Sequence, residues 1–174
     1  MSMVASNGYL YVVNYKDTVL SVLDIETFNV VDEWEITKSS HGIVILEQEN
    51  SVWIGGHGEG SKPNETIDVY NLTTGEKQSE IHMPLMPVGI AEKDDEVAVI
   101  SHGENMLSVA NLDGKILWQQ KVGANPFATA YFADYIVVAG YDDQNIYFLN
   151  EKEIVKEVQT DKGPFQLFVR EGME

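Results

Sequence analysis

The chain contains no cysteine, which excludes disulfides and thiolate metal sites. Cations are scarce. Eleven Lys and Arg stand against 28 Asp and Glu, a net charge of −17. Nucleic acid demands clustered cations on its partner, so no nucleic-acid partner is expected, and no anionic membrane surface either. Negative charge of this size serves solubility first; attraction to a basic protein is a second use. No run approaches the ~18 apolar residues of a bilayer span. The opening, "MSMVASNGYL", has neither the basic start nor the apolar run of a signal peptide. The expected location is cytoplasmic. A convincing amphipathic helix is also missing; the best candidate, "EKEIVKEVQT", is too short to stand alone.

What the sequence does have is a repeat. At 174 residues with 44% hydrophobic content, one domain, 1–174, with its own core is expected. Four segments share a pattern: an apolar run, a polar turn, a second run ending in Asp or Asn, and another turn. They start at Tyr9, Ser51, Glu96 and Tyr135, spacings of 42, 45 and 39 residues, the range of a four-stranded propeller blade. Each is followed by a third run ("VVDEWEI", "KQSEIHM", "ILWQQKV", "IVKEVQT") and a fourth ("HGIVILEQEN", "PVGIAEKDD", "PFATAYFAD", "PFQLFVREG"). Short runs rich in Val, Ile, Tyr and Phe between turn residues predict strands. Asp24, Asn71, Asn111 and Asn150 close the second runs, where Asx side chains start turns, and Gly75 and Gly114 supply positive φ.

These observations predict an all-β propeller of four four-stranded blades. Counted from Tyr9, the chain starts on the second strand of a blade and ends on a first strand. The segment 164–171 is therefore expected to complete the first blade and seal the ring. The alternatives are a larger ring shared by two chains, a homodimer, and a piece of a longer propeller.

The strings "YVVNY" at 11–15 and "VLSVLDIET" at 19–27 resemble the YVTN-type β-propeller repeat, and "PVGIA" at 87–91 resembles its inner-strand motif. "LDGKILWQQKVG" in the third copy is similar to the quinoprotein-type propeller repeat. The likeness implies a propeller, commonly with seven blades. Propellers of this type include binding scaffolds, surface-layer proteins and a few lyases, so the fold does not set the function.

The glycine-rich "IGGHGEGSK" at 54–62 raises the question of a phosphate loop. No helix follows it to hold phosphate, and its glycine spacing fails the phosphate-loop pattern. It falls instead in the connection between the second and third strands of the second blade. Tyr15, His57, His102 and Tyr141 occupy equivalent positions in the four copies, and His41 enters a first strand on the same face. That face, with Glu59 and Lys62 on the one long loop, is the expected binding face. The ligand would be a small molecule or a protein segment, with no catalytic residue and no cofactor. The simpler role for Tyr and His at a recurring site is wall packing with hydrogen bonds outward. The alternative is a metal-assisted lyase or hydrolase with histidine ligands and Glu59 or Glu104 as base.

Overall fold

A computed structural model of the chain describes residues 2–170, and all their regular structure is β. No helix is long and apolar enough to cross a membrane. The eighteen strands form four four-stranded antiparallel sheets and one small hairpin. The first sheet runs β1 (Ser2–Ser6), β2 (Tyr9–Val13), β3 (Val19–Asp24), β4 (Val30–Glu35). The second runs β5 (Ser40–Leu46), β6 (Ser51–Gly56), β9 (Thr66–Asn71), β10 (Lys77–His82), with the hairpin β7 (Gly58–Glu59) and β8 (Lys62–Pro63) between β6 and β9. The third is β11 (Pro87–Lys93), β12 (Glu96–Ser101), β13 (Met106–Asn111), β14 (Ile116–Lys121). The fourth is β15 (Pro126–Phe132), β16 (Tyr135–Gly140), β17 (Asn145–Asn150), β18 (Glu153–Gln159). The second strand of each sheet starts where the sequence repeat starts. The chain divides into two compact units, Met1–Val88 and Gly89–Glu174.

Residue pattern explains strand position within each sheet. Strands β6 and β12 are buried on both faces, so they read as continuous apolar runs, "SVWIGG" and "EVAVIS". The last strands β4, β10 and β18 carry the charge, "VVDEWE", "KQSEIH" and "EIVKEVQ", and are mostly exposed. Charge on an outer edge discourages pairing with another chain. A register shift recurs between the third and fourth strands of all four sheets. Such a bulge adds twist, and its repetition shows that the four sheets share one design.

Within the first unit, Tyr11, Val13, Leu20 and Val22 of the first sheet pack against Ile43, Ile45, Val52 and Ile54 of the second. Trp34 joins them, its Nε1–H donating to Asp32 Oδ2 at 2.9 Å and its ring lying over Gly75. Within the second unit, Ala98, Ile100, Leu107 and Val109 of the third sheet meet Ile136, Val138, Tyr147 and Leu149 of the fourth. Each large apolar side chain so buried contributes about 2 kcal/mol.

The first sheet corrects one expectation. Its first strand is Ser2–Ser6, paired antiparallel with Tyr9–Val13, and the C-terminal segment does not complete it. Residues 164–170 form no strand, and residue 171 lies outside the described residues. The cause is local. Asn7 and Gly8 both have positive φ, 49° and 82°, the two-residue turn whose twist matches a hairpin. A strand joined to β2 by two residues needs far less loop closure than one more than 150 residues away.

The Asx turns form as their residues predict. Asp24 Oδ1 accepts from the Glu26 and Thr27 N–H groups, Asn71 Oδ1 from Thr73 and Thr74, and Asn111 Oδ1 from Lys115. No such bond occurs at Asn150 among the described residues, where Glu151 takes positive φ instead.

Candidate functional site

In the first unit, three ends of the sheet strands bring rings together. Tyr15 follows β2, His41 lies in β5 and His57 follows β6. Their centroids are 5.8 Å apart for Tyr15–His57, 6.0 Å for His41–His57 and 6.3 Å for Tyr15–His41. All three pairs meet edge to face, the arrangement that aromatic quadrupoles favour. His41 Nδ1 is 3.2 Å from the Val88 carbonyl oxygen, which fixes the ring. Tyr15 is the most open of the three, 38% exposed.

The glycine-rich stretch then forms the hairpin β7–β8. The His57 N–H donates to the Ser39 carbonyl at 3.0 Å and the Asn64 N–H to the His57 carbonyl at 2.9 Å, which closes its base. Gly58 has φ 72°, and a Cβ there would lie 2.6 Å from the Asn64 nitrogen, so no side chain fits. Glu59 and Lys62 are cross-strand partners at its tip. Glu59 also pairs with Lys38 at 3.5 Å, with both side chains more than half exposed. Exposed pairs of this kind contribute under about 1 kcal/mol.

Glu59 and Lys62 share their cleft with none of the three rings. They line a separate cleft of about 500 Å³ with Lys38, Glu65, Glu80 and His82. Thr37 and Thr66 also line it, and both connect to a buried carboxylate. Asp68 is 3% exposed, accepts from Thr37 Oγ1 at 2.5 Å, and pairs with Lys77 Nζ at 2.9 Å. Lys77 also reaches Glu80 at 2.6 Å. Burial presses the Lys77 ammonium downward, but hydrogen bonds to Glu80 and Asp68 outweigh it and hold its pKa above the ordinary lysine range. The same hydrogen bond from Lys77 draws the Glu80 carboxyl below its usual range. This network is structural, because the buried charge is paired as well as hydrogen-bonded.

In the second unit, His102 and Tyr141 lie after β12 and β16, with Phe127 between them. The Phe127 ring is 4.8 Å from His102 and 5.6 Å from Tyr141, and Phe165 lies 5.0 Å from Phe127 and 6.2 Å from Tyr141. His102 Nδ1 is 2.7 Å from Asn125 Oδ1. The Pro-Phe pair at the start of two fourth runs is the sequence signal that would have added Phe127 and Phe165 to the candidates. Among the described residues, no group of three His, Cys, Asp or Glu side chains is placed to hold a metal ion.

No protein-family model matches the chain, and no curated protein matches it. Many solved structures share its fold, two of which illustrate the likeness. One is the computationally designed Ika8 protein, at 15% identity and a TM-score of 0.71, over 92% of this chain and 49% of that one. The other is hydrazine synthase from Kuenenia stuttgartiensis, at 13% identity and a TM-score of 0.73, over 86% of this chain and 45% of that one. The chain spans about half the length of each. Likeness at such identity concerns the path of the backbone and not the chemistry.

Proposed function

We propose that the four sheets are blades of a β-propeller and that the chain is a non-catalytic binding module. The blade reading is supported by four copies of one meander, each with a bulge between its third and fourth strands. The YVTN resemblance rests on the quoted strings alone, since no family model matches.

The binding surface is the loop end of the first unit. It comprises Tyr15, His41 and His57 together with Glu59 and Lys62 of the adjoining β7–β8 hairpin. One observation carries this reading: rings from three separate strand ends converge beside the single inserted hairpin. Aromatic rings offer flat apolar contact and polar edges, while Glu59 and Lys62 offer charges of both signs. Such a surface suits a ligand with an apolar part and several hydrogen-bonding groups, a small molecule or a protein segment.

The test is a binding screen of the purified chain against arrayed peptides and a metabolite panel, followed by Tyr15→Ala and Lys62→Ala. A true ligand loses about tenfold in affinity in at least one variant, about 1.4 kcal/mol, while the melting temperature stays unchanged. Ligands indifferent to both changes would move the site elsewhere. Hydrolytic or lyase turnover abolished by a chelator and restored by zinc would replace the module with the histidine–metal enzyme.

A further inference from the structure

We propose that residues 164–170 are the first strand of a further sheet and that they add to β2 of a second copy of this chain, in place of its β1. Three independent features point there.

The first is length and sequence. Strands β5, β11 and β15, which open the second, third and fourth sheets, have seven residues each; β1 has five. The segment 164–170 reads "PFQLFVR", seven residues with the Pro-Phe start of β15. β5–β6 and β15–β16 carry a register shift that β1–β2 lacks. β1 is the poor copy, with Met3 57% exposed.

The second feature is position. The Phe127 ring, at the start of β15, packs on His102, just past the second strand of the preceding sheet. Phe165 repeats the contact on Tyr141, just past the second strand of the fourth sheet. Gly163 has φ 67°, and a Cβ there would lie 2.9 Å from a Tyr141 ring carbon, so the chain turns closely over that ring. The segment thus enters where the first strand of the next sheet would enter. Its Phe168 is 85% exposed, the most open large apolar side chain among the described residues of the second unit.

The third feature is the way the sheets stack. Tyr11 and Val13, third and fifth in β2, pack with Val52 and Ile54, second and fourth in β6. Ala98 and Ile100, third and fifth in β12, pack with Ile136 and Val138, second and fourth in β16. By the same rule Val137 and Ala139, third and fifth in β16, match Leu10 and Val12, second and fourth in a β2. The cross-strand row of Val12 ends in Glu33 and that of Val137 in Lys156, opposite charges on outer strands. A second copy therefore supplies β2, β3 and β4 over the fourth sheet.

The register of β15 on β16 sets the new ladder. It places Leu167 opposite Val12 and Phe168 opposite Tyr11, where Val4 stands in the single chain. Phe168 then enters the core of the partner's first unit. The Asn7–Gly8 turn holds β1 locally, so the exchange competes with it and depends on concentration.

The cysteine-free sequence makes the test clean. Val12→Cys and Leu167→Cys are made in separate copies and mixed in a glutathione redox buffer. Directly opposed strand positions lie within disulfide reach. The expected product is a crosslinked species of twice the 19.5 kDa chain mass, increasing with protein concentration. Light scattering of the unmodified chain should show the same dimer. Phe168→Glu, at an exposed position, should weaken it by about tenfold, and deletion of residues 1–6 should strengthen it by a similar factor. A mass of 19.5 kDa at every concentration up to ~200 µM overturns the proposal. So does a disulfide that forms only within a single chain carrying both cysteines. Far-UV circular dichroism confirms that each variant is folded.

Discussion

At Phe28 the backbone adopts φ 57° with the side chain 80% exposed, and the Phe28 N–H donates to the Asp24 carbonyl at 2.8 Å. The second sheet makes the same turn with glycine: Gly75 has φ 69° and donates to the Asn71 carbonyl at 2.9 Å. A side chain in the left-handed region costs about 1–2 kcal/mol, part of which glycine returns through its unfolded-state entropy. Phe28→Gly should therefore stabilise the chain by about 1 kcal/mol, read as a higher urea midpoint with an unchanged slope. A lower midpoint would mean that the exposed ring has a role in packing. Buried phenols set a second expectation. Burial first, and the nearby Asp68 charge second, push the Tyr70 pKa well above its ordinary value. Burial does the same to Tyr131, with Glu96 next. The unfolded chain loses these protons near pH 10, whereas the folded chain keeps them. Their contribution is whole below that pH and drains away as pH rises beyond it. The melting temperature should hold from neutrality to about pH 9.5 and fall above it, less steeply in Tyr70→Phe. An equal slope in both proteins would assign the loss to other groups, Lys77 among them.

The elements were legible wherever periodicity and turn chemistry agreed. Most strands from β2 onward follow apolar runs bounded by Asx, Gly or Pro; the charged outer strands β4, β10 and β18 and the small β7–β8 hairpin do not, and β6 and β12 stand out as continuous apolar runs. β1 escapes that reading because "SMVAS" is short and weakly apolar; the informative residues are the two after it, Asn7-Gly8. The C-terminal run misleads for the opposite reason. Its sequence is that of a first strand, yet strand formation needs a partner edge, and β1 already occupies the one on β2. The candidate site was legible in part. Register brought out Tyr15, His41 and His57 because equivalent positions in a repeat fall at equivalent strand ends. It could not separate Glu59 and Lys62 from them, since the direction of a hairpin is set by backbone dihedrals at residues such as Gly58. The turn at Asn7-Gly8 carries its own prediction. A Cβ at Gly8 meets nothing within 4 Å but forces φ 82° on a side-chain-bearing residue. Gly8→Val should cost about 1–2 kcal/mol and speed amide exchange across Tyr9–Val13. Exchange at Ile136–Gly140 should not change; faster exchange there would show that the two units open together.

For the molecule as a whole, 28 acidic groups against 11 basic ones mean self-repulsion spread over the surface. Raising sodium chloride from about 20 to 300 mM shortens the range of that repulsion to a few ångströms, and the melting temperature should climb by several degrees. No change would show that local pairs such as Lys77–Asp68 already offset it. The other whole-molecule property is the order of pairing. In every sheet each strand hydrogen-bonds to its neighbours in sequence, with only the β7–β8 hairpin intervening between β6 and β9. Nothing made late is required for a ladder begun early. On the ribosome, each meander is complete once its fourth strand clears the exit tunnel, and within each unit the second sheet can template on the finished first. Synthesis itself can thus set the sequence of assembly, one four-stranded sheet at a time.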